Sequence, residues 1–246
     1  MFDARGPLFV VVLTSIALGL AVILALRTLG GQEEWTDEEK GQLAILEASL
    51  QDLVLSEDDL PASLHRLEPA PPSARTVDWT LGSRSKDIKK VYRGPADGLE
   101  PLGYGATRAS YFEDPDTGDY VLSLTSVPET PGRLHDDEDV NRSLDRSDPE
   151  TLEKVAAAEA EASGLSVREH VWLKSPELGD TRYGWAIVFE DEELGETIEW
   201  CEMGFTRGPA DVLIGASLPE RVGCREDILF LAALLDDRIE ALLAQH

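Results

Sequence analysis

Residues 183–218 read YGWAIVFEDEELGETIEWCEMGFTRGPADVLIGASL, and this stretch decides the fold of the chain. Three apolar-rich runs are separated by turn residues: Tyr183–Glu190, Glu196–Thr206 and Asp211–Leu218, with Glu193-Leu194-Gly195 and Arg207-Gly208-Pro209 between them. In the middle run, Cys201, Met203 and Phe205 occupy alternate positions and therefore share one face of a strand. Three such runs joined by two tight turns predict an antiparallel meander.

The segments around this stretch extend the same layout. Val167–Leu173 predicts a further strand, and Ala106–Val127 predicts a strand–turn–strand unit whose turn is Asp114–Gly118. After the meander, Arg225–Gln245 predicts a helix with one apolar side, formed by Ile228, Leu231, Leu235, Ile239 and Leu242. The sequence therefore predicts an α+β fold in which helices flank an antiparallel sheet.

Upstream of the sheet, a helix is predicted from Thr36 to about Leu55. Thr36 and Glu39 form a capping box, and leucines recur at helical spacing after it. Two interpretations remain open, a dimerising stalk and a first helix docked on the core; two heptads are short for a coiled coil, which favours docking.

Three more segments have local signals. The proline-rich stretch Glu68–Arg75 predicts an extended connector, and Pro128–Asp148 predicts a long acidic loop. A helix is predicted to begin at Asp148-Pro149 and to end at Gly164.

The N-terminus contains a run that is long enough to span a bilayer. Pro7–Leu26 is uncharged and mostly apolar, and Arg27 closes it. A cleaved signal peptide is the alternative, but Thr28-Leu29-Gly30 is a poor cleavage sequence, so a retained anchor is favoured. The sequence thus divides into a short N-terminal tail (1–6), a transmembrane helix (7–27), a linker (28–35) and an acidic extramembrane α+β domain (36–246).

The two cysteines decide the expected orientation. Arg5 and the α-amino group on one flank nearly balance Arg27 and Lys40 on the other, so the positive-inside rule gives little direction. Cys201 and Cys224 predict one disulfide outside the cytoplasm, and two buried free thiols are the alternative. Neither cysteine lies in a C-x-x-C or Cys/His zinc pattern or near the membrane exit, so the sequence predicts no redox motif, zinc knuckle or lipobox. No cofactor and no established metal-site motif is predicted elsewhere.

The charge of the chain excludes one class of partner. The formal net charge is −26, which opposes binding to nucleic acid or to anionic lipid surfaces. Basic proteins and cations remain open as partners. The few lysines also fit a salt-adapted protein or a GC-rich genome, so acidity alone does not indicate a binding function.

Four phrases carry a family resemblance: LSEDDLPASL (55–64), ELGDTRYGWAIVF (177–189), MGFTRGPADVLIGASL (203–218) and ILFLAALLDDRIEALL (228–243). They resemble bacterial membrane-anchored or lipoprotein domains with the PsbP-like α/β/α sandwich. The sequence departs from that family at Ala62-Ser63, where a glycine is usual, and in having no lipobox cysteine. The resemblance implies a fold and a location at a membrane, and no reaction.

Two groups are candidate binding residues. His135, Asp136, Asp137, Glu138 and Asp139 offer ligands for a hard cation, with a solvated charge run as the alternative interpretation. Trp185 and Trp200 could line a ligand groove, although strand aromatics are often core residues. Neither a nucleophile elbow nor a phosphate-binding glycine loop occurs, and no catalytic set is predicted.

These observations favour a single-pass, non-catalytic, extracytoplasmic domain for binding or protein–protein interaction. Its expected partners are the lipid bilayer, through residues 7–27, and another envelope or membrane protein. The alternative function is a cation or small-molecule sensor that uses the sheet face near Trp185 and Trp200.

Overall fold

The computed structural model describes residues 34–70, 104–146, 166–175, 177–191 and 195–245. Its α-helices are α1 (Asp37–Ser49), α2 (Pro131–Arg146) and α3 (Arg225–Leu243). Its strands are β1 (Glu68–Pro69), β2 (Tyr104–Glu113), β3 (Tyr120–Pro128), β4 (Ser166–Trp172), β5 (Thr181–Asp191), β6 (Glu196–Arg207) and β7 (Ala210–Pro219). They form one antiparallel sheet in the order β1-β2-β3-β7-β6-β5-β4, so the predicted α+β class is confirmed.

The strands predicted from alternation are all present. In the meander, β5 pairs with β6 from Thr181↔Thr206 onwards, and β6 pairs with β7 from Arg207↔Ala210 onwards. Neither pairing contains a register shift. Gly208, in the turn between β6 and β7, has φ +52°, a left-handed conformation that favours glycine. The predicted connector at 68–75 contributes the short strand β1 at the sheet edge, where it pairs with the end of β2.

The two faces of the sheet build two apolar clusters. On the first face, α1 and α3 pack against alternate residues of the strands, including the predicted trio Cys201, Met203 and Phe205. On the second face lies a cluster rich in aromatic side chains: Tyr111, Tyr120, Leu122, Leu124, Tyr183, Trp185, Ile187, Phe189, Trp200 and Leu213. Helices therefore lie on both faces, because α2 packs on the second one.

The first helix is docked on the core. The capping box of Thr36 and Glu39 is formed, with the Glu39 amide donating to Thr36 Oγ1 at 3.2 Å. Leu46 is fully buried, and the chain tightens into a 3-10 turn after Ser49. Two β3 side chains satisfy this turn, since Ser123 Oγ accepts from the Leu55 amide at 3.0 Å and Thr125 Oγ1 donates to the Leu53 carbonyl. Within this chain the docked interpretation is confirmed.

Two ion pairs hold α3 to its surroundings. Asp236, which is 5% exposed, accepts from Arg207 Nε at 2.7 Å and from the Gly179 amide at 2.9 Å. Further along α3, Arg238 Nη1 donates to Asp59 Oδ2 at 3.0 Å. Burial opposes ionisation of Asp59, but hydrogen bonds from Arg238 and Ser56 outweigh it and lower the pKa of the Asp59 carboxyl.

The prediction of a long acidic loop at 128–148 is wrong, because Pro131–Arg146 forms α2. Thr130 begins it, with Oγ1 accepting from the Arg133 amide at 3.4 Å, and Pro131 occupies the first turn. Ion pairs at helical spacing support it, with Arg133 Nη2 at 2.9 Å from Asp137 Oδ1.

Some predicted elements lie outside the described residues. They are the transmembrane helix (7–27), most of the linker (28–35), the end of the connector (68–75) and the helix expected at 148–164. Within the described part of the chain, no helix is both long and apolar enough to cross a membrane.

Candidate functional site

The register of the sheet brings the predicted tryptophans together. Trp185 on β5 pairs with Trp172 on β4 and with Glu202 on β6, and Trp200 lies one row further along the same face. The ring centroids of Trp185 and Trp200 are 6.1 Å apart, and those of Trp185 and Trp172 are 6.2 Å apart. Tyr183 completes the group, with its ring centroid 5.0 Å from that of Trp185.

We call this group the aromatic face; it comprises Trp172, Tyr183, Trp185, Trp200 and the carboxylate of Glu202. Glu202 is 2% exposed, and Tyr183 Oη donates a hydrogen bond to its Oε1 at 2.7 Å. A buried carboxylate costs free energy unless hydrogen bonds or a countercharge compensate it. The Glu202 carboxylate therefore lies among aromatic rings, where it accepts a hydrogen bond from the Tyr183 phenol.

Gly204 shapes this contact. A Cβ built on Gly204 would lie 2.2 Å from Tyr183 Cε1, so the phenol ring crosses the β6 backbone where no side chain stands. This places the Tyr183 hydroxyl over Glu202, which lies two residues before Gly204 on β6. Close by, burial raises the pKa of the Tyr120 phenol, and the charges of Tyr111 and Glu202 raise it further.

Two indole N–H groups on the aromatic face have no acceptor among the described residues. Trp185 is 5% exposed and Trp172 is half-buried, and neither Nε1 donates a hydrogen bond within the part of the chain that the structure describes. Buried donors are nearly always paired in folded proteins. These N–H groups are therefore buried donors for which the described residues provide no acceptor.

A polar row crosses the second sheet face at its other end, beneath α2. Its members are paired in register across five strands: Thr107, Ser126, Asp211, Thr206 and Thr181. The hydroxyls of Thr181 and Thr206 are 2.7 Å apart, and Asn141 Nδ2 on α2 donates to Thr181 Oγ1 at 3.1 Å. This row packs α2 onto the sheet through hydrogen bonds.

Sequence reasoning missed this row, and its signal lies on α2. Arg133, Asp137 and Asn141 recur every four residues, and all three are buried. A stripe at this spacing marks the inner face of a helix even when its residues are polar.

The acidic stretch His135–Asp139 lies on α2, which separates its side chains around the helix. Asp137 points inward to its ion pair with Arg133, whereas His135 and Asp139 are exposed. Glu138 Oε2 is 2.9 Å from Arg142 Nη2. Three of the five carboxylate and imidazole side chains thus pair with arginines of α2, namely Asp137, Glu138 and Asp139, and the cation role remains a prediction.

The predicted disulfide is present. Cys201 on β6 and Cys224, immediately before α3, are joined with an S–S distance of 2.10 Å and a Cα–Cα distance of 6.0 Å. Both residues are buried, at 0% and 1% exposure. The bond ties the start of α3 to the first face of the sheet.

A carboxylate supports the same junction. Glu199, two residues before Cys201, is 3% exposed; its Oε2 accepts from the Cys224 amide at 2.8 Å. Its Oε1 accepts from Arg225 Nε, and Arg225 also pairs with Glu169 through Nη2 at 2.6 Å. Hydrogen bonds and charge from Arg225 lower the pKa of the Glu169 carboxyl despite slight desolvation.

A cleft of about 370 Å³ opens onto this junction. Glu199, Gly223, Cys224 and Arg225 line one part of it, and Ser63 and Asp227 line another. A second cleft, of about 530 Å³, lies between the 3-10 turn after α1 and the end of α3, with Arg238 in its wall.

No protein-family model matches the sequence of this chain, and no curated protein sequence matches it.

Proposed function

We propose that this chain is a single-pass membrane-anchored domain that works outside the cytoplasm in binding or protein–protein interaction, without catalysis of its own. The observation that carries the proposal is the buried Cys201–Cys224 disulfide. Structural disulfides persist in oxidising compartments and are rare in the cytosol. The uncharged run Pro7–Leu26 supplies a segment of the length needed to anchor the domain there.

The rest of the molecule supports a binding role. Its acidic surface favours basic partners, such as a basic segment of another envelope protein, over nucleic acid. The resemblance to PsbP-like domains supports the same location and implies no reaction.

The proposal predicts a defined topology for the full chain in intact cells. We expect an exposed cysteine introduced on α3 by Glu240→Cys to react with a membrane-impermeant maleimide. A cysteine introduced on the short tail by Phe2→Cys should react only after the membrane is permeabilised. In the unmodified chain, denaturation without reduction should leave Cys201 and Cys224 unlabelled, and the chain should resist extraction of the membranes at alkaline pH.

Other outcomes would overturn specific parts of the proposal. The reverse labelling pattern would place the domain in the cytoplasm. Two free thiols in the denatured, non-reduced chain would remove the disulfide argument. Release of the intact chain by alkaline extraction would remove the anchor.

A second candidate function is a sensor of small cationic molecules at the aromatic face. The favouring observation is that Trp185 and Trp172 offer indole N–H donors without acceptors among the described residues, beside the carboxylate of Glu202. Aromatic rings and a carboxylate together attract ammonium groups, and the N–H donors suit a ligand that also carries an acceptor.

Thermal unfolding of the full chain tests this sensor function. Choline, glycine betaine, Mg²⁺ and Ca²⁺ serve as probes, and we expect glycine betaine, which carries both charges, to raise Tm in a concentration-dependent manner. The variant Trp185→Phe keeps an aromatic ring but removes the N–H, so the shift should shrink. Trp35→Phe is the matched control, since Trp35 Nε1 donates to the Glu129 carbonyl at 3.0 Å, away from the aromatic face. Absence of any shift, or an equal shift in both variants, would contradict the sensor function.

A further inference from the structure

At the junction of β6 and α3, the disulfide and the hydrogen bonds of Glu199 bring three potential metal-binding side chains together. A carboxylate oxygen of Glu199 and the sulfur atoms of Cys201 and Cys224 all lie within 4.8 Å of one another, and all three residues are buried. Two thiolates and a carboxylate are ligands that Zn²⁺ accepts in proteins. Glu199 and Cys201 are two residues apart on β6, whereas Cys224 immediately precedes α3, so only the fold brings the third residue to the other two.

We propose that the reduced Cys201–Cys224 pair, together with Glu199, is a zinc site, and that the disulfide and the metal are alternative states of this junction. Reduction by a dithiol transfers two electrons and two protons to the disulfide and leaves two thiols and an oxidised dithiol. Binding of Zn²⁺ to the two thiols then releases two protons. In the reverse step an external disulfide takes up two electrons from the bound thiolates and two protons, becomes two thiols, and the re-formed Cys201–Cys224 disulfide releases the metal.

The geometry allows the exchange with small movements. Tetrahedral zinc with Zn–S bonds of about 2.3 Å separates its sulfur ligands by about 3.8 Å. The Cα atoms of the two cysteines are 6.0 Å apart, so side-chain rotation can open the sulfurs to that separation. The cleft of about 370 Å³ beside Cys224 and Glu199 provides access for the ion and room for a water as fourth ligand.

The charges are also complementary. Two thiolates and the Glu199 carboxylate carry three negative charges, of which Zn²⁺ compensates two. The Arg225 guanidinium, which Glu199 shares with Glu169, offsets part of the third. Arg225 holds Oε1 of Glu199, so the other oxygen, which now accepts from the Cys224 amide, faces the cysteine pair. Arg225 would thus orient the carboxylate in the way that outer-shell partners orient metal ligands.

The test uses the full chain in detergent micelles, reduced under anaerobic conditions with a phosphine that does not bind zinc. Titration with Co²⁺ should give the intense thiolate-to-metal charge-transfer absorption of a two-thiolate site. Competition against a chromophoric chelator should show one Zn²⁺ per reduced chain and none at this site in the oxidised chain. Zinc should also raise the Tm of the reduced chain and leave that of the oxidised chain unchanged.

Matched variants separate this site from surface carboxylates. Glu199→Gln should weaken zinc binding by at least about tenfold. Glu196→Gln, at an exposed position on the same strand, should leave it unchanged. The double variant Cys201→Ser, Cys224→Ser should lose the charge-transfer band.

Each alternative outcome overturns the proposal. Equal zinc binding by oxidised and reduced chains would assign the metal to surface carboxylates. A folded, reduced chain without the charge-transfer band would show that the thiols do not bind metal. If reduction unfolds the chain, failure of zinc to restore the near-ultraviolet circular dichroism would have the same meaning. Unchanged affinity in a folded Glu199→Gln variant would remove Glu199 as a ligand.

Discussion

Replacing Asp236 by Asn should destabilise the domain by about 3–5 kcal/mol, the usual loss when one partner of a buried ion pair is removed. Asp236 accepts two hydrogen bonds from Arg207, from Nε at 2.7 Å and from Nη2 at 2.6 Å. It also accepts from the Gly179 amide, so a single carboxylate connects α3, the end of β6 and the segment before β5. An asparagine keeps the volume but removes the charge and directs N–H donors at donors.

Chemical denaturation of the full chain in micelles, followed by near-ultraviolet circular dichroism, measures this loss. Asp237→Asn is the matched control, because the neighbouring carboxylate is exposed on the same helix; we expect a change within about 0.5 kcal/mol. Similar losses in both variants would show that net charge, and not the buried pair, governs the effect.

Gly179→Ala should cost about 3–4 kcal/mol. Gly179 has φ +57°, and a Cβ there would lie 2.5 Å from the Thr206 carbonyl oxygen. The left-handed conformation alone costs a residue with a side chain about 1–2 kcal/mol, and overpacking against backbone adds about 1–3 kcal/mol. The collision would also push the Gly179 amide away from Asp236, which weakens that ion-pair cluster.

Gly195→Ala isolates the steric part of this effect. Gly195 has φ +66°, close to that of Gly179, but no atom of the described residues lies within 4 Å of its added Cβ. We therefore expect a loss of only about 1–2 kcal/mol, from the backbone conformation. The same denaturation measurement applies, and equal losses at the two positions would contradict the proposed contact with Thr206.

The sequence predicts the strands of the meander well because their signals are local. Alternating apolar residues and the turn at Arg207-Gly208-Pro209 define β6 and β7 with little help from the rest of the chain. The disulfide was also predicted from the sequence, because only two cysteines are present. The capping box at Thr36 is equally local, and the structure confirms it.

Other features depend on contacts that local patterns do not encode. The helix α2 was not predicted from residues 131–146, because its inner face contains the buried polar stripe Arg133, Asp137 and Asn141 in place of a regular apolar stripe. Glu202 could not be distinguished from the many surface carboxylates until the register placed it among aromatic rings. In the same way, Glu199 reaches the cysteine pair only because β6 lies beside the start of α3.

The position of β3 beside β7 has a consequence for how the domain folds. The pairs along β4, β5, β6 and β7 join neighbours in the chain, as do those of β2 with β3. The seam between them joins Tyr120 to Ser217 across a long stretch of chain, so its formation must overcome a large loop-closure entropy. The β2–β3 hairpin and the β4–β7 meander can therefore form early. Their docking along the β3–β7 seam is the step expected to limit the folding rate.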